Sequence, residues 1–419
     1  MEVITSIDKN NKIKNTLQAT RNRRTSMECR VYTVKVQYNK LNNQQKKHLK
    51  MLFVEAKWLY NHINNLSKNV DFNVFNVDYK DFPNIQHFDK DHNIITSELQ
   101  YLSSQMQQGV VDGYKQNIKS LAKSKKKGNK VGNLKFLSEY NSINLKQANI
   151  SYKIVDKCHI KIQGIKKAIK VNGLKQIHTL GVYELANAKL IQNCSGYYLA
   201  ITVYIPKQTK IDKTPIGIDL GCKTAVTTSE GVEYNCIVEE SERLKRLQRR
   251  FNRKIKGSNN RYKLRKHLRK EYLYLSNCKA DASNKICNSL TSNNYVIMQD
   301  EQLNAWKRRF GRKVQHSVLG RVKHRLIENE HTVVLSKWFP TTKLCRECGN
   351  EVTLSLSDRT YICEHCGCVE NRDVHAANNM VWIYQNIVGT EHTEVTLAEF
   401  KERVKTFFEQ NQEAAKSLV

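Results

Sequence analysis

Apolar and polar positions follow different periods in different parts of this chain. From Cys29 to Tyr38 they alternate, with Tyr32, Val34, Val36 and Tyr38 on one face and Thr33, Lys35 and Gln37 on the other. A period of two predicts a strand. Between Asn42 and Leu66 the period lengthens: Leu49, Leu52, Phe53, Ala56, Leu59, Tyr60 and Ile63 recur at helical spacing. Residues 70–95, rich in Asn, Asp and Phe, predict an irregular segment. Ser97 is expected to cap a second helix carrying Leu99, Leu102, Met106, Val110, Tyr114, Ile118 and Leu121, which ends at Lys125-Lys126-Lys127-Gly128. Residues 135–205 then show short β-rich runs at 150–154, 159–162, 168–171 and 197–205, with Gly and Asn between them. That spacing predicts a small barrel or sandwich. The strand near 30–37 fits as a further member, which makes the helices an insertion.

Beyond Pro215 the apolar run Ile216-Gly217-Ile218-Asp219-Leu220-Gly221 reads as a buried strand. A long helical pattern follows from Glu239 to about Leu290, broken at Gly257-Ser258-Asn259-Asn260. Next come a strand at 295–299, a helix near 313–330, a strand at 332–336 and a helix from Asp373 to about Ile387. Thr396 and Glu399 have capping-box spacing ahead of a last amphipathic helix with Leu397, Phe400, Val404, Phe407 and Phe408. The first 28 residues, with Arg21, Arg23 and Arg24, are expected to be a basic flexible arm. No repeat of fixed period is visible, and four prolines argue against long disordered linkers.

Charge sharpens the picture. Lys and Arg number 70 against 39 Asp and Glu, a net charge of +31, which points to a polyanionic partner. Nucleic acid fits better than a membrane surface, because no lipidation motif or compact basic anchor is present. No run of eighteen apolar residues occurs, so no membrane span is expected. The basic residues concentrate in one stripe, with Arg243, Lys245, Arg246, Arg249, Arg250, Arg253, Lys254, Lys256, Arg261, Lys263, Arg265, Lys266, Arg269 and Lys270 uninterrupted by an acid. Surface helices usually mix signs, so such a stripe fits a phosphate backbone better than a plain solvated face.

Two groups of residues carry candidate chemistry. Cys345-x2-Cys348 and Cys363-x2-Cys366, fourteen residues apart, each lead into a glycine, the spacing of a tetrahedral structural zinc site. Cys368 and His365 are bystanders, since the two knuckles fill four positions. The seven scattered cysteines (29, 158, 194, 222, 236, 278 and 287) show no disulfide spacing and read as reduced, buried thiols in a cytosolic protein. The second group is acidic. Asp219 lies in a strand, Glu301 just past another, and Asp373 at the start of a helix. Each has an ordinary explanation: a strand-end turn, an exposed neighbour of Asp300, a helix cap. Together, carboxylates converging from distant segments can hold two divalent ions for phosphodiester cleavage.

Ile218-Asp219-Leu220-Gly221, Met298-Gln299-Asp300-Glu301-Gln302-Leu303, the paired knuckles and Asn371-Arg372-Asp373-Val374-His375-Ala376-Ala377-Asn378 resemble the split RuvC nuclease of type V CRISPR effectors and TnpB proteins. Compact size and Trp338-Phe339-Pro340-Thr341-Thr342 before the ribbon resemble the miniature type V-F effectors most. The likeness is specific over about 213–388 and looser before it; Asn371 departs from it, since many relatives carry a second acid there. It implies a multidomain α/β protein: a split RNase H-like (RuvC) domain with a zinc ribbon, plus an N-terminal β-barrel (wedge) domain bearing a helical recognition insertion. The implied segments are an arm at 1–28, wedge at 29–41 and 135–212, recognition helices at 42–134, RuvC at 213–338 and 373–388, ribbon at 339–372 and a C-terminal helix at 389–419. Asp219, Glu301 and Asp373 become the catalytic trio, with Glu301 preferred over Asp300 by its place in the motif. The resemblance also implies two Mg²⁺ per site, structural Zn²⁺, a guide RNA, a target DNA and a prokaryotic cytoplasm.

On this reading Arg246, Arg249, Arg250, Arg253, Lys254, Arg261, Arg265, Arg308, Arg309, Arg312 and Arg372, with the Lys125–Lys127 loop, contact nucleic-acid backbone, which positions without reading sequence. The resemblance to the type V-F group, whose members place two protein copies on one RNA, also implies a homodimer, with the helices of 42–120 as the contact surface. Tyr60 belongs to a helical core face, while Trp58 and Trp306 are open to base stacking. The expected activity is RNA-guided cleavage of double-stranded DNA beside a short flanking motif. The alternatives are a transposon-encoded TnpB nuclease, a catalytically silent nucleic-acid-binding regulator and, more distantly, a guide-independent junction resolvase.

Overall fold

The computed structural model describes residues 6–69, 71–89, 91, 93–207, 213–221, 226–355, 357–391 and 395–416. The chain divides into two compact units, Met1–Thr209 and Lys210–Val419.

In the first unit, α1 (Ser6–Thr25) precedes β1 (Met27–Val36), and α2 (Asn43–Leu66), β2 (Asn84–Phe88), β3 (Ile94–Glu98) and α3 (Ser104–Lys126) follow. Then come β4 (Ser142–Leu145), β5 (Tyr152–Ile154), β6 (His159–Ile162), β7 (Ile169–Asn172), the short α4 (Lys175–His178), β8 (Glu184–Asn193) and β9 (Gly196–Pro206). Seven strands form one sheet in the order β4-β8-β9-β1-β7-β6-β5, and a bridge between Ala148 and Tyr152 draws its two edges together into a near-barrel. The early strand is thus central to the sheet, paired antiparallel with β9 and β7. Alternate residues of β9, from Tyr197 to Ile205, are buried. They join Val34, Leu49, Leu52, Met106 and Val110 in one cluster, so the inserted helices and the sheet share a core. Tyr60 is part of it.

Two expectations fail here for non-local reasons. Residues 6–25 form a helix where a basic flexible arm was expected over 1–28. No Gly or Pro interrupts Ser6–Thr25, and the end of that helix is anchored by Arg23 and Arg24, which contact opposite oxygens of Glu184 at 2.9 and 2.6 Å. Nor does Ser97 cap a helix. Residues 94–98 pair with 84–88 as a hairpin, and the buried Glu55 carboxylate accepts from the amides of Gln100, Tyr101 and Leu102, so the helix starts only at Ser104.

The second unit holds β10 (Thr214–Leu220), β11 (Val226–Thr228), β12 (Glu233–Tyr234), α5 (Glu242–Asn252), α6 (Asn259–Thr291), β13 (Asn294–Gln299), α7 (Leu303–His316), α8 (Leu319–Ile327) and β14 (Thr332–Leu335). After these come β15 (Thr360–Ile362), β16 (Val369–Asn371), α9 (Arg372–Ile383) and α10 (Leu397–Lys416). The five-stranded sheet has the order β12-β11-β10-β13-β14; β10 runs antiparallel to β11 but parallel to β13, which runs parallel to β14. A single helix over 313–330 does not form. The amide of Val318 donates to Cys236 and that of Val238 to His316, and this pairing parts α7 from α8. The break between α5 and α6 falls in the expected stretch 257–260, and Ser258 caps α6 by accepting from the Arg261 amide. Thr396 and Glu399 do form a capping box. The scattered cysteines are free, but only Cys236 and Cys287 are buried; Cys29 is exposed, Cys158, Cys194 and Cys278 are half-buried, and Cys222 lies outside the described residues.

Each face of this sheet has its own core. Ile216, Ile218, Leu220, Val296 and Met298 pack with Ile286, Leu290, Val322 and Leu326 of α6 and α8. Ile297 and Leu335 pack on the other face with Met380 and Ile383 of α9 and with Phe400 and Val404 of α10. Gly217 points to this second face. A Cβ there would stand 1.8 Å from the Ala377 carbonyl oxygen and 3.0 Å from a Val381 methyl. The helix therefore lies backbone to backbone on the strand. Gly217→Ala should force the two apart, costing about 3 kcal/mol and roughly 10 °C in the melting temperature of this unit, measured by calorimetry.

Candidate active site

Strand alternation decides where the acids point. Ile216, Ile218 and Leu220 go into the α6/α8 core, so Gly217 and Asp219 face α9. Two residues along a strand advance roughly 6.6 Å. One turn back along α9, from Ala377 to Asp373, is about 6 Å. The Gly217–Ala377 contact thus brings Asp219 toward Asp373. Asp219 pairs with Thr227 inside the ladder, so it is not a turn residue. Asp373 is not the helix cap either: the Asn371 side chain accepts from the amides of Asp373 and Val374 at 3.0 and 3.3 Å, leaving the aspartate carboxylate free of that task.

Glu301 joins from the neighbouring strand. Ile218 is opposite Met298 in the parallel register, so Gln299 shares the face of Asp219. Glu301, two residues past the strand on a turn closed by its own amide and the Gln299 carbonyl, lies close enough for its charge to act on Asp219. Asp300 goes the other way, where Lys323 of α8 holds its carboxylate at 2.6 Å and also donates to the Glu301 carbonyl. Burial pushes the Asp219 carboxyl up to about 8, and the charges of Asp373 and then Glu301 add to the effect, with Arg372 opposing. Burial also raises Glu301, against the pull of Lys323. Among the described residues, only four cysteines bring three or more His, Cys, Asp or Glu donor atoms within 4.8 Å of one another. The three carboxylates share an electrostatic field without forming one such tight cluster.

Those cysteines are Cys345, Cys348, Cys363 and Cys366. Sulfurs of Cys345 and Cys366 lie 3.5 Å apart, and those of Cys348 and Cys363 3.6 Å. Tetrahedral zinc at 2.3 Å from each sulfur would set them about 3.8 Å apart, so the group fits a structural metal such as zinc. Each knuckle turns on a glycine of positive φ, Gly349 and Gly367, whose amides donate to the Cys345 and Cys363 carbonyls at 2.8 Å. Cys368 and His365 stay outside the group.

Periodicity and spacing did not flag the residues that join ribbon to helix. His375 is fully buried, stacked on Tyr361 at 3.6 Å, with Nδ1 3.1 Å from Glu370 and Nε2 2.9 Å from the Leu344 carbonyl. Burial lowers its pKa, and each ring nitrogen has an acceptor and a donor beside it: Glu370 and Arg346 at Nδ1, the Leu344 carbonyl and the Asn379 amide at Nε2. Asn379 donates to the Thr341 and Leu344 carbonyls. The spacing His375-x3-Asn379, one helical face, was the available signal.

The basic candidates divide. Arg246, Arg249, Arg250, Arg253, Lys254, Arg265 and Arg308 are exposed. Arg261 is instead turned inward, donating to the Phe251 and Lys254 carbonyls and so closing the end of α5. Arg372 donates to the Ser355 and Asp358 carbonyls of the ribbon. The side chains of Arg309 and Arg312 lie outside the described residues. Trp306 packs against the α6/α8 core, and Trp58 stacks on His87 at 3.6 Å.

A family model described as "Cas12f1-like, TNB domain" matches residues 319–380, the stretch that holds the ribbon, His375 and Asp373. One described as "Probable transposase", OrfB_IS605, matches 198–305, which contains Asp219 and Glu301. These two stretches of the chain are thus similar to Cas12f1-like and TnpB-related transposase proteins. It is 31% identical over 178 residues to a Streptomyces pristinaespiralis protein named as a candidate RNA-guided DNA endonuclease, covering 40% of this chain and 44% of that one. InsQ of Escherichia coli (strain K12), named in the same terms, is 25% identical over 120 residues, covering 27% of this chain and 30% of that one. The chain thus spans less than half the length of these curated relatives. A solved Cas12f1-sgRNA-target DNA complex aligns over 84% of this chain and 99% of that one at 14% identity, but its TM-score of 0.23 carries no argument. No described helix is long and apolar enough to cross a membrane.

Two outcomes follow from this geometry. A raised acid pKa adds stability that is fully present below the unfolded value near 4 and lost as pH rises toward about 8. In EDTA, Asp219→Asn should therefore melt higher than the parent at pH 8, by on the order of a few kcal/mol, and the gap should close at pH 4–5. Elemental analysis should find one zinc per chain, and Cys348→Ser should lose it and open residues 345–371 to protease.

Proposed function

We propose that the second unit is a split RuvC-type, RNase H-like nuclease and that the chain is an RNA-guided, Mg²⁺-dependent endonuclease for double-stranded DNA. The observation that carries this reading is the convergence on Asp219: its carboxyl is buried, and two further carboxylates, from the end of a neighbouring strand and from a helix that touches the same strand, add to the rise that burial gives its pKa. A fold that gathers acids with too little positive charge to balance them is suited to hard cations, and oxygen-only donors suit Mg²⁺. Bound there as a pair, Mg²⁺ would supply charge neutralisation and Lewis acidity at a phosphodiester. Asp219, Glu301 and Asp373 would hold it, and Lys323 keeps Asp300 turned away.

The mixed five-stranded sheet, with its acids on one face, supports the RNase H-like assignment. In the first unit the near-barrel and its inserted helices would be the wedge and recognition parts. The exposed arginines of α5, α6 and α7 would follow the backbone of guide RNA and target DNA, with base pairing supplying sequence and the protein reading a short flanking motif. The names of the relatives support the same chemistry. A type V-F CRISPR context in a prokaryotic cytoplasm, with a homodimer on one RNA, belongs to this reading. The transposase-family match keeps a transposon-encoded TnpB nuclease as the second reading, with identical site residues.

The test is cleavage of duplex DNA matched to RNA that co-purifies with the protein. Cutting should require Mg²⁺ and stop in EDTA. Asp219→Ala and Glu301→Ala should each lower the rate by roughly a thousandfold or more, while Asp300→Asn should stay within about threefold of the parent. Alanine variants that cut like the parent would remove this site from the mechanism. A parent that binds RNA and never cuts would favour a silent regulator.

A further inference from the structure

The start of α9 is held by more than its own cap. Helix ends fray unless something fixes them, because the first amides lack partners within the helix. Here Asp373 lies in the first turn, and His375, two residues on, is sunk into the ribbon. Its ring stacks on Tyr361 of β15 at 3.6 Å and an interplanar angle of 14°. One ring nitrogen is 2.9 Å from the carbonyl of Leu344, the residue before Cys345; the other is 3.1 Å from Glu370 of β16. Glu370 in turn accepts from Arg346, which sits between Cys345 and Cys348, at 2.7 Å, and from Asn378 at 2.7 Å. Both arms of the ribbon thus close on one histidine. Arg359, from the same ribbon, reaches 3.9 Å from the Asp373 carboxylate, and its carbonyl accepts from the Arg372 amide at 2.9 Å.

We propose that His375 and Glu370 are positioning residues that tie the folded four-cysteine ribbon to the location of the Asp373 carboxylate. This rests on the reading of Asp373 as a cation-holding acid. The close contact at Gly217 fixes α9 in its middle, and a helix pinned at one point can still pivot. The ribbon supplies further points, at His375, about half a turn nearer the acid, and at Asn378 and Asn379 on the other side of Ala377. Buried polar networks hold one geometry when every member is satisfied. Residues that support a metal ligand in this way typically change affinity by about 10–100-fold when removed.

The experiment uses the full-length chain with its zinc in place and Mn²⁺ as the probe, free Mn²⁺ being followed by electron paramagnetic resonance. His375→Ala should keep one zinc per chain and the parent's circular dichroism, yet bind Mn²⁺ about tenfold more weakly or worse. His375→Gln, whose amide can still donate to the Leu344 carbonyl, should recover part of the loss. Cleavage by the alanine variant should return toward the parent rate at high Mg²⁺. If His375→Ala sheds zinc, Glu370→Gln takes its place in the comparison. Parent-like Mn²⁺ affinity in zinc-loaded variants overturns the proposal, and so does zinc loss from both, which would assign the network to the ribbon's own folding. Asp219→Ala is the control: a parent that shows no Mn²⁺ binding dependent on Asp219 brings down the reading of the acid site itself.

Discussion

At Gly217 the backbone of β10 meets the backbone of α9 with no side chain between them. Helices usually ride on sheets at a distance set by intervening side chains. Removing that spacer lowers the helix onto the strand and brings its first turn within electrostatic range of a strand residue. The sheet supplies the rest of the geometry, because a parallel neighbour in fixed register carries Glu301 just past its end, where its charge acts on Asp219. Three segments distant in sequence are thereby held by one close contact and one ladder.

That arrangement stores repulsion. Burial, and then the charges of Asp373 and Glu301, raise the pKa of Asp219, and the apolar packing of both sheet faces has to hold the acids there. The ribbon contributes at the edge of this arrangement. Its own core is small, with Cys345, Tyr361 and Cys363 buried among few neighbours, which is why it fits a fold stabilised by metal rather than by apolar burial. It is not a detached appendage, since His375, Asn378 and Asn379 of α9 all bond to it.

Much of this was legible in the order of residues. The cysteine spacing picked out the four residues whose sulfurs cluster, and apolar runs located the strands that hold Asp219 and precede Glu301. The Gly257–Asn260 break between two basic helices was visible as well. What escaped had non-local causes. Ser97 looks like a cap until residues 84–88 are known to pair with 94–98, and Glu55 spends its carboxylate on a turn more than forty residues away. The break at Ser317–Val318 depends on Cys236. Arg261 and Arg372 read as phosphate contacts because charge is visible in a sequence, whereas the carbonyls that accept from them are not. His375 was concealed for the opposite reason: a lone histidine in a helix gives no hint of the ring and carbonyl that enclose it.

The neighbouring acids Asp300 and Glu301 show how much rests on a single step of chain. One is tied to Lys323 toward α8 and the other acts by its charge on Asp219. Deleting or inserting one residue between Met298 and Asp300 would exchange their directions, since a shift of one position swaps the faces of a strand. The shorter aspartate would then point toward the site and the longer glutamate toward the lysine. Such a frame slip would leave charge and composition almost untouched while shortening the reach of the carboxylate at this corner by a methylene's length.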